Sequence, residues 1–560
     1  MKKYAKSMLA VLAGVSSICL SSCFGKKNDG SGQIEFWSSF GSSYSNALDS
    51  IVARVQEQTG ITFTHVSKGS YDKTLETMIP ALNVGSYPNM TMGYPDHFAM
   101  YLADDALMPL EDYFTEAELN DYISDYMDEN KFTSYGETKT YGVPFNKSTE
   151  VLGYNGTFVD YCASIDPTHL SKIPETWDEL AEIGPYYMTI YDSLIDGGKV
   201  LCGVQDVDGR THDWELAEKT DLMENEDGDL VFKTGHDGVI GLIDFSAIKD
   251  KKENTRLFSW DATDNAFITL CRQWGAEYTK LDLDRDNQRE LSVIEQKGDV
   301  MFGSSANKSK VISFLQFFKE LSKERIFGVP KELNGTYSSD AFQDGSVMFM
   351  VCSSGGLSYN TGTWHNNFRI APIPYKTADK KFVISQGANI AMTDKGNYED
   401  CAKVIKALTT GDIQVEWCLK TGYYPCSHSA ADSEKYKNFL KEGTDEGINE
   451  YIAANPGTTF AQRKAEVYSN PARVAYREGS KVNQEHYMTR TGTNDWMKFV
   501  DAAFKGSAVI RTLCKGIFEQ VFVQTNANVT DSECEAILKD AVIENDKITR
   551  NNNIRVVVND

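Results

Sequence analysis

The sequence predicts an α/β fold in which strands of a largely parallel sheet alternate with helices, and in which domains are interleaved rather than strung in series. Three observations carry this. Residues 33–66 read strand, helix, strand in succession, the order that lays a helix against a parallel sheet. Helix-capping signals recur downstream: in Pro174-Glu-Thr-Trp-Asp-Glu-Leu180, Thr176 caps a new helix and Glu179 reaches back, and Thr530 with Glu533 repeats the device. Turn signals separate the elements regularly, yet no linker divides the 560 residues, which by length suit about two to four domains.

Taken in chain order, the first element is an export signal, residues 1–22. Lys2, Lys3 and Lys6 precede an apolar run, Met8 to Leu20, that is too short for a bilayer's hydrocarbon core, which takes about 20 residues. Its end, Leu20-Ser21-Ser22-Cys23, resembles the lipobox of bacterial lipoproteins, in which the cysteine becomes a lipidated N-terminus; the alternative is an ordinary signal peptide with an incidental cysteine. Residues 23–33 comprise that Cys23 and a flexible tether with almost nothing to bury. An anchor of two or more acyl chains holds stably where one is marginal, so the expected place of the folded body is the extracellular face of the cell membrane. Gln33 to Trp37 then suits a buried strand, SSFGSSYS breaks it, and a helix follows with Leu48, Ile51, Val52 and Val55 on one face. Gly60 stops that helix, and Ile61 to Val66 is the next strand. From about Arg473 the chain reads as helical.

Composition excludes some partners. Eighty acidic against 56 basic residues give a net charge of −24, which becomes −27 when the three signal lysines leave. With no basic stripe to offset it, such a body repels nucleic acid and anionic lipid. Of eleven cysteines, nine lie beyond Cys23, scattered singly at 162, 202, 271, 352, 401, 418, 426, 514 and 534. They read as free core thiols, a Cys418–Cys426 bridge being the less favoured option. A monomer is expected.

Five segments carry a resemblance. Residues 83–114, NVGSYPNMTMGYPDHFAMYLADDALMPLEDYF, contain a G-x-x-P-D-like segment; Tyr141-Gly-Val-Pro-Phe-Asn146 runs on to Gly153-Tyr-Asn155; then come Pro174 to Leu180, Phe342-Gln-Asp-Gly-Ser-Val-Met-Phe349 and Lys420-Thr-Gly-Tyr-Tyr-Pro425. In this order they resemble the sugar-binding, maltose-binding-protein-like family of bacterial extracellular solute-binding proteins, over about Gln33 to Ala541. The resemblance implies a two-lobe, periplasmic-binding-protein-like clamp with interleaved lobes and three hinge crossings, near Phe145–Glu150, Ser385–Asn389 and Tyr424–Ser429. The first lobe would be 34–145 plus 388–425, the second 146–387 plus 426–560. It also implies a carbohydrate ligand, the permease subunits of an ABC transporter as partner, no cofactor and no catalysis. The sequence departs from the family at two insertions, Arg210 to about Asp250 and Lys435 to Arg463, and lacks aromatic residues expected at Gly93 and near Gly355.

Loops at the carboxyl ends of parallel strands converge on a crevice, where open α/β sheets bind ligands. Trp37, Ser38, Ser39 and Phe40 end the first strand and offer hydroxyls and amides at a helix start; the alternative is a plain strand-to-helix turn. The resemblance places Asp96 and His97, after Tyr94, on the ligand, since a carboxylate can accept two sugar hydroxyls; the alternative for Asp96 is a helix N-cap. Asn146, Ser148 and Glu150, with Lys147, sit where the first crossing is expected. Trp260 is a stacking platform or a core tryptophan. Ser354 and Gly355 form a small-residue loop that permits close approach, and Asn494 with Trp496 offers a second aromatic wall.

Other chemistry is absent from the sequence. There is no His-Glu-x-x-His, Gly-x-Ser-x-Gly, phosphate loop or Gly-x-Gly-x-x-Gly. Asp282-x-Asp284-x-Asp286 imitates a calcium loop, but Asn287 replaces its glycine and Val293 its bidentate glutamate, and Asp206-Val-Asp208-Gly209 is similarly incomplete; no metal is expected. Two competing readings stand beside the receptor: a lipid-anchored glycosidase, which needs two carboxylates about 5–10 Å apart, and a clamp of the same fold for peptides or another organic solute.

Overall fold

The computed structural model describes residues 33–560 apart from 206–210, 225–229, 233–238, 334, 336, 361–366, 469, 471, 474–495, 524–531, 533–535, 537, 540–553 and 557–560. The signal peptide, Cys23 and the tether, Asn494, Cys534, the Asp206–Gly209 turn and the Thr530–Glu533 cap therefore lie outside the described residues. Among the described residues no helix is long and apolar enough to cross a membrane.

Two sheets organise two lobes. In the first, Ile34–Ser38 pairs in parallel with Phe63–Ser67 on one side and Met90–Gly93 on the other. Asn389–Met392 then adds antiparallel to Met90–Gly93, and Gly142–Pro144 closes the edge. Gly142–Pro144 therefore runs in the same direction as the first three strands, and the largely parallel sheet expected from the sequence holds except at Asn389–Met392. Asn389–Met392 returns to this lobe from the second one and so enters in the opposite direction. Helix Ser42–Thr59 buries Leu48, Ile51, Val52 and Val55 against this sheet, a gross gain of roughly 6–12 kcal/mol at the usual value per buried aliphatic side chain. It ends at Gly60, whose φ of 70° is the left-handed C-cap position that glycine occupies without Cβ strain.

The second sheet runs Phe327–Gly328, Arg256–Trp260, Val347–Ser353, Ser148–Asn155, Phe382–Gln386, Met497–Phe499, with Phe368–Ala371 beside Ser148–Asn155. Helices Trp177–Gly197, Thr263–Gln273, Lys308–Lys323 and Ser507–Val523 supply side chains to its core, where Trp177, Trp260, Phe318 and Phe327 are buried. Trp177–Gly197 starts with the expected reciprocal cap: the Glu179 amide donates to Thr176 Oγ1 at 3.0 Å and the Thr176 amide to Glu179 Oε2 at 3.1 Å. Strands Val200–Gln205, Thr211–Ala217 and Val239–Asp244 form an antiparallel sheet of their own, in the region expected as an insertion. The eight described cysteines are buried and free, Cys418 and Cys426 included.

The chain crosses between sheets at residues 145–147 and again at 387–388. The third crossing departs from the expected Tyr424–Ser429. Tyr424 does pair with Lys147, but the chain then turns back: the Ile123 amide donates to Cys426 O and the His428 amide to Asp121 O. Tyr436 and Phe439 pack with Val415 and Cys418 of the first-lobe helix Gly411–Thr421. The described residues of 426–473 therefore extend the first lobe, correcting their assignment to the second, and the chain is back on the second sheet at Met497. The apolar face of Gly411–Thr421 is what holds them there.

Candidate functional site

The crossings are pinned before the cleft opens beside them. Gly387 has φ 109°, and a Cβ there would lie 1.9 Å from the Asn146 carbonyl oxygen, so two backbones press together where only glycine fits. Lys147 Nζ donates to Gly387 O at 2.8 Å and to Glu129 Oε1, which also accepts from Asn389 Nδ2 at 2.9 Å. Both members of this ion pair are sealed from solvent, at 0% and 3% exposure.

The cleft next to this hinge takes Tyr94, Pro95, Asp96 and Glu129 from the first lobe, Ser385–Gly387 from a crossing, and Tyr278, Asp501, Ser507 and Arg511 from the second. Its cavity is about 40 Å³, near the ≈30 Å³ share of one water in the liquid and far below the roughly 300–1,000 Å³ of organic ligand sites. A space of that size has no room for a sugar ring.

Arg511 is the cleft's organising charge. Its Nε donates to Asp264 Oδ2 at 2.7 Å and its Nη2 to Asn265 Oδ1. Asn265 Nδ2 in turn donates to Glu150 Oε1 at 3.1 Å and Gln386 Oε1 at 2.9 Å. Burial opposes the charge on Arg511, but Asp264, Asp96 and Asp501 together outweigh it and hold the guanidinium above its ordinary pKa. Burial pushes the Asp501 carboxyl up to about 6 against the pull of Arg511 and Arg272, and the Glu150 carboxyl up to about 8 against hydrogen bonds from Trp260 and Asn265. Glu150 is therefore protonated at neutral pH.

The candidate residues fall into three groups. Tyr94 and Asp96 line the cavity. Tyr94 caps the helix Pro95–Leu102, with its ring 4.6 Å from that of Tyr71. Asp96 lies inside that helix, which corrects the N-cap alternative, and its Oδ1 accepts from the His97 amide at 3.0 Å. A second group surrounds the crossings without lining the cavity. Asn146 donates to Tyr71 OH at 2.9 Å, Ser148 accepts from Ser353 at 3.4 Å, Ser354 Oγ accepts from the Thr149 amide at 3.0 Å, and Gly355 O accepts from Tyr44 OH at 2.5 Å. The aromatic missing near Gly355 is answered from the other lobe: a Cβ on Gly355 would lie 2.3 Å from the Tyr423 ring.

The third group packs inside the lobes. Trp37 lies in the first-lobe core under Lys68, 3.4 Å from its ring centroid. Ser38 hydrogen-bonds His65 at 2.6 Å, Ser39 bonds Thr74 at 2.8 Å, and Phe40 packs on Trp417. His97 is buried, which lowers its pKa. Trp260 is fully buried, 5.8 Å from the Trp177 ring, and donates to Glu150 Oε1 at 3.0 Å. That corrects the stacking-platform reading, since a ring enclosed on both faces has none left for a solute. Trp496 sits edge-on to Tyr375 against the second-lobe core. Sequence reasoning missed Arg511, Asp264, Asp501 and Tyr278. The available signal was Arg511 itself, a cation in the apolar run SAVIRTL, which has to find carboxylates when its helix is buried. Among the described residues no three His, Cys, Asp or Glu side chains are grouped to hold a metal ion.

Comparison with known proteins matches this geometry. The sn-glycerol-3-phosphate-binding periplasmic protein UgpB of Shigella flexneri is 23% identical over 446 residues, covering 77% of this chain and 80% of that protein. Its Yersinia pestis counterpart is 25% identical over 448 residues, with the same coverage. Among solved structures, UgpB of Mycobacterium tuberculosis in complex with glycerophosphocholine superposes with a TM-score of 0.57 at 16% identity, covering 93% of this chain and all of that one. The GacH receptor of Streptomyces glaucescens gives 0.57 at 12%, covering 92% and 98%. The maltotriose-binding protein of Thermus thermophilus gives 0.53 at 15%, covering 92% and 100%. These structures share the two-lobe fold. The family model described as bacterial extracellular solute-binding protein matches residues 50–441, and the chain belongs to that family.

Proposed function

We propose that this protein is a lipid-anchored receptor on the extracellular face of a bacterial cell membrane, which captures a carbohydrate, in particular an oligosaccharide, and delivers it to the permease subunits of an ABC transporter without catalysing a reaction. The observation that carries the reading is the cleft itself: a narrow space between two lobes, beside a pinned hinge, lined by Tyr94, Tyr278, Gln386, Asp96 and Asp501. Aromatic faces and polar groups that accept hydroxyl hydrogens are what a polyol needs. The neighbours named with bound acarbose, cycloalternan and maltotriose share this fold. The ligand acts by population shift, so it must bind the closed state better than the open one. Cys23 supplies the tether that keeps the receptor near its transporter.

A glycosidase reading draws on the convergence of Asp96, Asp264 and Asp501. It also requires a protonated carboxyl facing the scissile bond; Asp501, pushed up to about 6, lines the cavity, while Glu150, pushed higher, is 1% exposed under Trp260 and Asn265 and does not. A thermal-shift screen of the purified protein against mono- and oligosaccharides, with short peptides beside them, tests the proposal. A ligand at 100 times its Kd stabilises by about 2.7 kcal/mol. The expected result is a shift with an oligosaccharide recovered intact. Cleavage of that sugar points to the enzyme, and a shift with peptides alone refutes the carbohydrate class. For the anchor, Cys23→Ser is expected to move the protein from the membrane fraction to the medium.

A further inference from the structure

Arg511 invites a reading as a phosphate clamp, since the curated relatives are named for sn-glycerol 3-phosphate. Its surroundings argue otherwise. Bidentate recognition of a phosphate uses two parallel donors of the guanidinium fork, and here the Nε and Nη2 edge is occupied by Asp264 and Asn265. Lys147 is committed to Glu129. Arg272 lies 3.8 Å from Asp501 and stacks over the Phe499 ring. Against Arg511 and Arg272 stand the carboxylates of Asp96, Asp264 and Asp501, leaving a net negative charge where a solute would sit. The Tyr278 hydroxyl is buried beside the Cys514 thiol, and Asp501 Oδ1 is buried with Arg272 Nη2 3.8 Å away, too far for a hydrogen bond. Both residues line the cavity. A carboxylate oxygen whose nearest cation is too far to donate suits a hydroxyl, which can give it a hydrogen bond, whereas a phosphate ester offers it only acceptors.

We infer that this cleft is built for an uncharged polyhydroxyl ligand and excludes phosphate esters, with Asp96, Asp264 and Asp501 as the excluding charges and Arg511 held as their counter-ion. The inference rests on the receptor reading above and specifies its solute. The protein's net charge of −24 adds to the repulsion at longer range.

Calorimetric titration of the whole protein with maltotriose, mannotriose, sn-glycerol 3-phosphate and glycerophosphocholine is the test. An uncharged sugar is expected to bind at least about a hundredfold tighter than sn-glycerol 3-phosphate, and Asp96→Asn with Asp501→Asn to strengthen the binding of sn-glycerol 3-phosphate itself by about tenfold or more, an unchanged or weaker affinity overturning the excluding role. Salt gives a readout that needs no variant: residual binding of sn-glycerol 3-phosphate strengthens with ionic strength if carboxylates repel it and weakens if Arg511 clamps it. Tight, salt-sensitive binding of sn-glycerol 3-phosphate overturns the inference while leaving the solute receptor standing. Binding of peptides with neither sugars nor phosphate esters overturns the carbohydrate reading, and the inference with it.

Discussion

The hinge and the cleft lie side by side along the same crossing segments and handle charge in opposite ways. At the hinge, Lys147 donates to both Glu129 and Gly387 O and Asn389 Nδ2 donates to the same carboxylate, so the ion pair is matched charge for charge and sealed from water, with Asn389 Oδ1 left without a hydrogen-bond partner among the described residues. In the cleft, three carboxylates, Asp96, Asp264 and Asp501, share two guanidiniums, so charge is left unmatched there. A buried charge network that is matched fixes geometry, and one that is unmatched costs stability until a ligand completes it. The hinge is therefore expected to yield substitutions that unfold, and the cleft substitutions that stabilise while weakening binding.

The comparison breaks hardest at Lys147. Lys147→Met leaves Glu129 as a buried charge without its partner, a loss of roughly 3–5 kcal/mol, measured by denaturant unfolding; a loss under 1 kcal/mol would show that the pair is not sealed. Gly387→Ala adds a left-handed backbone cost and a contact at 1.9 Å with the Asn146 carbonyl, about 3 kcal/mol in all. It is expected to lower Tm sharply, whereas Gly356→Ala, with nothing within 4 Å of its Cβ, is not.

The cleft shows the reverse sign. The Asp501 carboxyl titrates near 6 in the folded protein, above the ordinary value of about 3.9. The stability it contributes when protonated is full below about pH 4 and is lost as pH rises to about 6. Asp501→Asn escapes that loss, so above pH 6 it is expected to be more stable than the parent by about 3 kcal/mol, with the difference vanishing near pH 4. A variant less stable than the parent at pH 7 contradicts the cleft's charge excess. The smallest effect is at Gly355→Ala, where the Tyr423 ring can move aside: about 1 kcal/mol, read by thermal denaturation.

Much of the fold was legible because local periodicity and capping report it. The face of Leu48, Ile51, Val52 and Val55, the stop at Gly60 and the cap of Thr176 with Glu179 all form as their spacing predicts. The third crossing was not, because Cys426 to Arg473 follows a turn that looks the same whichever lobe receives the next helix; the choice is made by Val415 and Cys418, whose apolar face is not a signal in the turn. The cleft was legible only in its first-lobe loop, Tyr94 and Asp96. Trp260 and Trp37 end strands, and a tryptophan there reads alike whether it faces a cavity or a core. Arg511 meets Asp264 across 247 residues of chain, a separation that no local pattern spans.

The measurement that tests the account most directly is the affinity of the best oligosaccharide from the screen for the parent, for Asp501→Asn and for Asp379→Asn, an exposed carboxylate outside the cleft, by calorimetry. The account predicts at least a tenfold weaker Kd for Asp501→Asn and none for Asp379→Asn. Equal affinity in all three would place the ligand somewhere other than between the lobes.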